Sequence, residues 1–410
     1  MNYNGLKVAF LHPRLEGGGA ERVSLTTAKL FSKWGIHSTF VGAKHNANEF
    51  ILPEGISAQI YCLPNQESFY TEDNKAALIS YIADQDIRIA FACYMEGEFF
   101  EQWSKHSSCK FVYWNHSKPF WEVNYKAELQ KLQATYSIKK RMLNYLQRVC
   151  SMSIRSGGGE FAYTQYVREC LLRDIRLFER YIVLCPEYKT EISRDLPITE
   201  SERVKLVSMT NTIEIEADVN LNKNKEIIYV GRLSLAPKRF DRLLKVWREI
   251  QDKLPDWELK FYGAGPDEWI FHKLVKKYKL RRVRLYGYET DLKRIYNDAA
   301  IVCLTSTFEG WGMVLAEGQN NGVIPVVFDC CAGVNIIVGD NQCAGRLVKP
   351  FDLRAYADTL LELCTNEELR KSLQQACLSK RLDYAPNVND DRWRCLLDEL
   401  IEGDDKCLRL

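Results

Sequence analysis

The sequence predicts an α/β protein built from two doubly wound parallel sheets. Short β-branched or aromatic runs alternate with longer segments of helical periodicity along almost the whole chain, which is the pattern of repeated βα units. A length of 410 residues is enough for two domains. With 46% hydrophobic and 27% charged residues, the composition is that of an ordinary globular protein. Disorder, a fibrous repeat and a small disulfide-stapled module are therefore excluded.

The predicted strands fall into two similar series. The first series lies at residues 6–11, 38–41, 87–93, 110–114 and 181–185, and the second at 226–230, 258–262, 282–286, 300–304 and 324–328. The connection between them, residues 187–225, contains Pro197, a polar run and one further strand at 204–208. We therefore expect an N-terminal domain over residues 1–199, a C-terminal domain over 200–385, and a last segment over 386–410.

Net charge, apolar runs and cysteine spacing indicate which partners, location and cysteine state to expect. The 56 basic and 54 acidic residues give a net charge of +2, so no nucleic-acid partner is expected. The N-terminus lacks the charged start and apolar run of a signal peptide, and the longest apolar runs are strand-sized, so we expect a cytoplasmic protein with at most peripheral membrane contact. The 14 cysteines contain no C-x-x-C pair and are expected to be reduced thiols.

One segment of the first half differs from its surroundings in charge. Residues 126–180 are helical in pattern and carry eleven Lys/Arg against five Asp/Glu, interleaved with aromatic residues. Such a segment could attach to anionic lipid at the inner face of the plasma membrane, or to an anionic acceptor. A solvated helical face is the alternative, and nucleic-acid binding is a weaker one because no recognised module surrounds the segment.

Two glycine-containing strand–helix junctions could bind phosphate. After the first strand, residues 17–22 read Gly-Gly-Gly-Ala-Glu-Arg, and such glycines let backbone N–H groups approach an anion. Arg22 stands where a dinucleotide fingerprint needs its third glycine, so a simple tight turn is the alternative. At the second junction Gly231 and Arg232 end a strand, and Lys238 follows near the start of an amphipathic helix. The two cations could clamp a diphosphate without a metal, or could be ordinary surface charges.

A third junction places two carboxylates around the start of a helix. Glu309 lies in the loop after the strand at 300–304, and Glu317 lies about one turn into the helix that Gly312 opens. Carboxylates accept hydrogen bonds from vicinal diols, and the first amides of a helix favour a phosphate, so this arrangement suits a sugar and a ribose joined by phosphate. Two glutamates that only stabilise a helix start are the alternative.

Together these residues resemble the retaining GT-B glycosyltransferases of family 4, also called glycosyl transferases group 1, and within them the bacterial enzymes of surface-polysaccharide and lipopolysaccharide synthesis. The resemblance rests on Gly231-Arg232, Lys238 and the pair Glu309 and Glu317, and it extends over nearly the whole chain. It implies a GT-B fold, in which two Rossmann-like domains face a cleft, with the nucleotide-sugar on the C-terminal domain and the acceptor on the N-terminal domain. It also implies that a helix within 386–410 crosses back to the N-terminal domain.

The resemblance implies a role for each site residue. Arg232 and Lys238 would hold the diphosphate, Glu309 a hydroxyl of the donor sugar, and His116 would lie near that sugar, with a satisfied loop histidine as its alternative. The residues implied to contact the phosphate, sugar, base or ribose are Gly18, Gly19, Gly231, Gly287, Tyr288, Gly310, Trp311, Gly312, Met313, Val314 and Glu317. Arg239 stands where the family usually has glycine, which leaves open which of two neighbouring cations reaches the phosphate. Trp311 stands where phenylalanine is commoner.

The implied reaction is a transfer of a hexosyl unit, with retention, from a nucleotide-sugar to a hydroxyl of a surface-glycan or lipid-linked oligosaccharide acceptor. A UDP-sugar is the expected donor. No metal or other cofactor is expected, because Asp84-Gln85-Asp86 lies at the amino end of a strand and the six histidines show no ligand spacing. The alternatives are a non-catalytic sugar-nucleotide-binding scaffold, a GT-B sugar-nucleotide epimerase, and a nicotinamide dehydrogenase, which would need the glycine fingerprint that is missing here.

Overall fold

The structure, a computed structural model, describes residues 1–101, 103, 107–136 and 160–402. Its strands are β1 (Lys7–Leu11), β2 (Arg14–Leu15), β3 (His37–Gly42), β4 (Lys44–His45), β5 (Ala58–Cys62), β6 (Ile89–Cys93), β7 (Lys110–Trp114), β8 (Arg180–Val183), β9 (Leu206–Ser208), β10 (Glu226–Val230), β11 (Glu258–Tyr262), β12 (Val283–Leu285), β13 (Ile301–Leu304), β14 (Ile324–Phe328) and β15 (Arg346–Val348). Its α-helices are α1 (Gly19–Lys33), α2 (Glu72–Asp84), α3 (Trp121–Tyr136), α4 (Glu160–Leu177), α5 (Pro186–Asp195), α6 (Glu200–Val204), α7 (Phe240–Ile250), α8 (Glu268–Lys277), α9 (Leu292–Asp298), α10 (Met313–Asn320), α11 (Ala332–Val338), α12 (Leu353–Thr365), α13 (Glu367–Lys380) and α14 (Asp390–Glu402).

The chain divides into two compact units. The N-terminal unit comprises Met1–Pro119, Arg168–Glu214 and Tyr384–Leu410, and the C-terminal unit comprises Phe120–Val167 and Ile215–Asp383. This division differs from the expected ranges in two respects. The boundary follows residue 214 rather than 199, and residues 120–167, which the sequence analysis assigned to the N-terminal domain, belong to the C-terminal unit. The last segment, from residue 384, belongs to the N-terminal unit.

A seven-stranded parallel sheet organises the N-terminal unit, in the order β5-β3-β1-β6-β7-β8-β9. Its strands are buried on both faces near the centre, as parallel strands covered by helices must be. Phe10 of β1 stacks on Phe91 of β6, with ring centroids 5.2 Å apart. Trp393 of α14 meets the rings of Phe31 and Phe91 edge-on at 5.3 and 5.6 Å. The described part of the C-terminal segment is therefore part of this core.

A six-stranded parallel sheet organises the C-terminal unit, in the order β12-β11-β10-β13-β14-β15. The central strands β10 and β13 pair at Ile227 with Ile301, and chain order reverses at this point of the sheet. In open α/β sheets a ligand crevice forms at the carboxyl ends of the strands at such a reversal. The α/β fold class with two parallel sheets, predicted from alternating runs, is confirmed.

The sequence does not predict the two edge strands β5 and β15. β5 lies at the edge of its sheet and β15 has three residues, so neither shows the continuous buried run that marks a central strand. The connection at 187–225 is more ordered than expected, because it contains α5 and α6 before β9. Helix α6 begins with a capping box in which Thr199 Oγ1 accepts from the amide of Glu202 and the Glu202 carboxylate accepts from the amide of Thr199.

The structure describes only part of the basic segment and of the cysteines. Residues 137–159 of the basic segment, including its glycine run, lie outside the described residues, which show α3 before them and α4 after them. In the described part of the chain, no helix is both long and apolar enough to cross a bilayer. The cysteines that the structure describes form no disulfide with one another.

Candidate active site

The turn after β10 is shaped by close backbone approaches. Gly231 has φ of +153°, and its amide donates to the Tyr262 carbonyl over 2.9 Å. A Cβ on Gly263 would lie 2.0 Å from the Gly231 carbonyl oxygen, so only glycine fits there. The Gly263 amide in turn donates to the Gly287 carbonyl over 2.6 Å. The loops after β10, β11 and β12 are thus held together at one edge of the sheet.

Arg232 presents its guanidinium to solvent at this edge. The residue is exposed, and its side chain makes no hydrogen bond or ion pair within the described part of the chain. Its backbone is fixed, because the Tyr229 hydroxyl donates to the Arg232 carbonyl over 2.9 Å. A positioned backbone with an unpaired guanidinium suits the bidentate recognition of a phosphate.

Lys238 and Glu309 form a salt bridge in the same unit. Lys238 Nζ lies 2.8 Å from Glu309 Oε1 and 2.9 Å from Oε2. The Ser306 hydroxyl donates to Oε1 over 2.5 Å, and the Glu309 side chain is 8% exposed. The loops are also joined by their backbones, since the Thr307 amide donates to the Pro237 carbonyl over 2.9 Å. The sequence predicts separate ligands for Lys238 and Glu309, and their pairing with each other is a finding of the structure.

Arg239 points its charge away from this pair. Its Nε lies 2.8 Å from Asp241 Oδ1 and its Nη2 3.1 Å from Oδ2, and Nη1 binds Glu128 of α3. Its backbone has φ of +48°, a conformation uncommon for a side-chain-bearing residue, and its carbonyl accepts from Thr305 Oγ1 over 2.9 Å. The two neighbouring cations therefore have different partners: Arg239 pairs with Asp241 and Glu128, and Lys238 pairs with Glu309.

Helix α10 begins directly beside Glu309. Gly312 is its N-cap with φ of +89°, and a Cβ on Gly333 would lie 2.4 Å from the Gly310 carbonyl oxygen, so this loop packs tightly. The first amides of a helix have no partner within it, which makes the backbone around Met313 and Val314 a donor set for an anion. One turn further, Glu317 Oε2 accepts from the Tyr296 hydroxyl over 3.1 Å.

Aromatic side chains flank the Gly287 turn. Gly287 has φ of +82°. Tyr288 next to it is 53% exposed, and Tyr286 before it stacks on Tyr262 with ring centroids 4.9 Å apart. A flat exposed ring beside a tight turn can receive a planar base. The residues that the structure brings to this one edge of the C-terminal unit are Gly231, Arg232, Lys238, Gly287, Tyr288, Glu309, Gly310, Trp311, Gly312, Met313, Val314 and Glu317.

The remaining predicted site residues belong to the N-terminal unit. Gly18 is the N-cap of α1 and Gly19 its first residue. A Cβ on Gly18 would lie 2.4 Å from Glu21 Oε2, so the Glu21 carboxyl group covers this loop. Burial raises the pKa of Glu21 to about 7. Both glycines follow β1 at the carboxyl edge of the N-terminal sheet.

His116 follows β7 at that same edge. Its two ring nitrogens are buried and have no hydrogen-bond partner among the described residues. Burial, and then the nearby His12, lower the pKa of His116 to about 3, so the ring is neutral. Neither the expected place of His116 near the donor sugar nor the alternative of a satisfied loop histidine is decided by this geometry. His12, which the sequence analysis did not single out, is also buried and bonds Ser24 Oγ through Nε2 at 3.1 Å.

Three further residues escaped the sequence analysis: Ser306, Tyr296 and Glu128. Ser306 and Tyr296 lie within 21 residues of the glutamates they contact, but a serine or tyrosine near a carboxylate is too common to be informative. Glu128 is separated from Arg239 by 111 residues, so no local pattern joins them. Among the described residues there is no cluster of three or more side chains suited to a metal ion.

Similarity to known proteins is concentrated in the C-terminal unit. Residues 211–378 match the family model of glycosyl transferases group 1. The amylovoran biosynthesis glycosyltransferase AmsD of Erwinia amylovora is 28% identical over 188 residues, which are 46% of this chain and 52% of the relative. The poly(ribitol-phosphate) alpha-N-acetylglucosaminyltransferase of Staphylococcus aureus is 26% identical over 202 residues, 47% of this chain and 40% of the relative. The chain thus spans about half the length of these curated relatives.

A solved structure extends the likeness to the whole fold. Staphylococcus aureus TarM, crystallised with UDP among its ligands, superposes with a TM-score of 0.72 over 96% of this chain and 100% of TarM, at 14% identity. At so low an identity, the likeness shows a shared fold and nothing more. Residues 211–378 thus resemble the glycosyl transferases group 1, and the chain as a whole shares the fold of TarM.

Proposed function

We propose that this protein transfers a hexosyl unit from a UDP-sugar to a hydroxyl of a surface-glycan or lipid-linked oligosaccharide acceptor, with retention at the anomeric carbon. The observation that carries the proposal is the unpaired guanidinium of Arg232 at the strand edge where Lys238, Glu309 and the start of α10 also lie. Known proteins support the substrate class, since one relative is named for amylovoran biosynthesis and a fold neighbour was crystallised with UDP.

The Lys238–Glu309 pair can remain intact while the donor binds. An ammonium has three N–H donors, and two go to the carboxylate, which leaves the third for a phosphate oxygen. On Glu309, Oε1 accepts from Lys238 and Ser306, whereas Oε2 accepts only from Lys238 and keeps a lone pair for a sugar hydroxyl. In this proposal one ion pair therefore contacts both the leaving group and the transferred sugar.

The other residues complete the donor site. Arg232 would neutralise the diphosphate as it leaves, and the first amides of α10 would face the same phosphates. Glu317, oriented by the Tyr296 hydroxyl, would accept from the ribose hydroxyls, and the base would lie against Gly287 and Tyr288. His116, neutral in the N-terminal unit, would offer a hydrogen bond to the sugar without adding charge.

In the proposed reaction the bond between C1 of the sugar and the phosphate oxygen breaks as a bond from the acceptor oxygen to C1 forms on the same face. The acceptor hydroxyl gives its proton to the departing phosphate oxygen, so no protein nucleophile is needed. The protein contributes position and charge, which are the usual means of catalysis at phosphate leaving groups.

The first test is thermal stabilisation of the protein by UDP, GDP, ADP and CDP in the presence of EDTA. A ligand at 100 times its dissociation constant adds about 2.7 kcal/mol of stability. We expect UDP to give the largest shift, and UDP-sugars then to release UDP when glycan acceptors are supplied. A larger shift with another nucleotide would correct the base. No shift with any of them would contradict the proposed donor site.

A further inference from the structure

Helix α8 carries a basic face in the C-terminal unit that the proposed site does not use. Its inward side chains are Ile270, Phe271 and Leu274, all buried. Its outward side chains are Trp269, Lys273, Lys276 and Lys277, and these four residues are called the α8 face below. Trp269 is 38% exposed, which is unusual for the largest apolar side chain when it is not needed for packing.

Basic residues are concentrated on and after the α8 face, while Glu268, the first residue of α8, lies 3.7 Å from His272. Residues 269–288 contain seven Lys/Arg and no Asp/Glu, whereas the whole chain has a net charge of only +2. Three arginines of this stretch are engaged in the fold. Arg281 pairs with Asp252, Arg284 Nη2 lies 3.6 Å from Glu258, and Arg282 donates to backbone carbonyls. These arginines help to fix β12 and the residues directly before it.

The lysines of the α8 face have no such role. Lys273, Lys276 and Lys277 form no ion pair with any residue that the structure describes. Instead, the Lys273 ammonium lies 5.7 Å from the Trp269 ring centroid, and the Lys277 ammonium 5.4 Å from that of Tyr278. Three uncompensated cations and an exposed indole therefore lie on one solvent-facing side of a helix whose other side is fixed in the core.

We propose that the α8 face docks the C-terminal unit onto an anionic lipid surface. Lysines above a negatively charged membrane are attracted without needing a defined partner geometry, and tryptophan prefers the headgroup layer, where its ring is apolar and its N–H is solvated. A soluble polyanion would satisfy the lysines but would give the exposed indole no apolar layer. The inference does not depend on the proposed transferase chemistry, because none of the four residues belongs to the donor site.

Flotation with lipid vesicles tests the proposal on the full chain. We expect the protein to float with vesicles of phosphatidylglycerol and phosphatidylcholine but not with phosphatidylcholine alone, and to be released by salt, because the attraction is screened over about 8 Å at physiological ionic strength. Each lysine near such a surface contributes roughly five-fold in affinity, so the triple variant Lys273→Gln, Lys276→Gln, Lys277→Gln should bind roughly a hundred-fold more weakly.

A matched variant removes the same charge elsewhere in the C-terminal unit. Lys225→Gln, Lys349→Gln and Lys371→Gln change three exposed lysines outside the α8 face. We expect this control to bind vesicles as the parent does, and Trp269→Gln to weaken the part of the binding that survives added salt. Unchanged thermal unfolding of all three variants would show that the fold is intact.

Several outcomes would overturn the proposal. The proposal is wrong if the parent protein does not float with anionic vesicles. It is also wrong if the two triple variants lose vesicle binding equally, because that result would show a response to net charge alone. Retained binding in both triple variants would place the contact elsewhere in the chain. Binding to inorganic polyphosphate without binding to vesicles would identify the α8 face as a site for a soluble polyanion. UDP binding is measured separately, so failure of the transferase proposal leaves this test intact.

Discussion

Glu128 of α3 and Arg239 of the C-terminal sheet edge form a buried ion pair within the C-terminal unit. The Glu128 side chain is 2% exposed, and Arg242 Nη2 also approaches it at 3.6 Å. The same helix packs Trp121 against Phe308, with ring centroids 6.1 Å apart. Arg239 directly follows Lys238 and Phe308 directly precedes Glu309, so α3 contacts the neighbours of both partners of the site's salt bridge.

A substitution of Glu128 should therefore affect the donor site through Arg239. We expect Glu128→Gln to lower the free energy of unfolding by about 1–3 kcal/mol, less than a fully broken buried pair because Arg239 keeps Asp241. We also expect weaker UDP binding, measured by calorimetry. If Glu128 acts by positioning Lys238, the variant should cost less UDP affinity in a Lys238→Ala background than in the parent protein. Equal costs in the two backgrounds would mean that Glu128 has only a structural role.

Removing Arg232 should impair turnover without harming the fold. Its guanidinium is exposed and unpaired among the described residues, so Arg232→Ala should unfold at the parental temperature. The rate of sugar transfer should fall by roughly 10²–10³, the usual effect of deleting one donor to a developing negative charge. Arg354→Ala, at another exposed arginine of the same unit, is the control and should keep full activity. Parental turnover in Arg232→Ala would refute the assignment of this residue.

Lys238 and Glu309 should show strong coupling in stability. Lys238→Ala leaves the Glu309 carboxylate buried with Ser306 as its one partner among the described residues, and we expect a loss of about 1–3 kcal/mol in urea unfolding. Adding Glu309→Gln removes the stranded charge, so the double variant should be more stable than Lys238→Ala alone. Both should be inactive. Additive losses in a double-mutant cycle would contradict the pairing.

Acid should destabilise the protein through its buried histidines. The folded-state pKa of His116 is lowered from 6.5 to about 3, so below pH 6.5 the unfolded chain takes up a proton that the folded chain refuses. Stability should therefore fall as the pH drops from about 6.5 towards 3. His116→Gln should reduce this slope, measured as the urea midpoint against pH.

Titration of the Glu21 carboxyl group should change stability with pH in the direction opposite to that of His116. Burial raises its pKa from 4.5 to about 7, so between these values the unfolded chain loses a proton that the folded chain keeps. This group should lower stability as the pH rises from about 4.5 to 7, by up to about 3 kcal/mol. Glu21→Gln should be more stable than the parent protein above pH 7 and similar to it below pH 4.5. A constant difference across that range would show that the Glu21 carboxyl titrates normally.

The sequence was most informative where backbone geometry and chemistry coincide in a short stretch. Gly231-Arg232 and the Glu309–Glu317 spacing are local, because a tight turn and a helix start each need particular residues within a few positions. Lys238 was found in the same way. The partner of Lys238 could not be found in this way, because Glu309 lies 71 residues away in the chain. The order of strands in the sheet brings the two residues together. Edge strand β5, which pairs only with β3 in its sheet, was missed because it is partly exposed and lacks the continuous buried run of a central strand.

The position of α3 in the chain has a consequence for biosynthesis. The helix is translated about 180 residues before Phe308, the ring on which Trp121 and Tyr125 pack. At roughly 5–20 residues per second, it leaves the ribosome some ten to forty seconds before that partner exists. During this interval two aromatic rings and the Glu128 carboxylate have no docking surface on the C-terminal unit. A nascent chain stalled before residue 308 should therefore be a better chaperone substrate than one released after it.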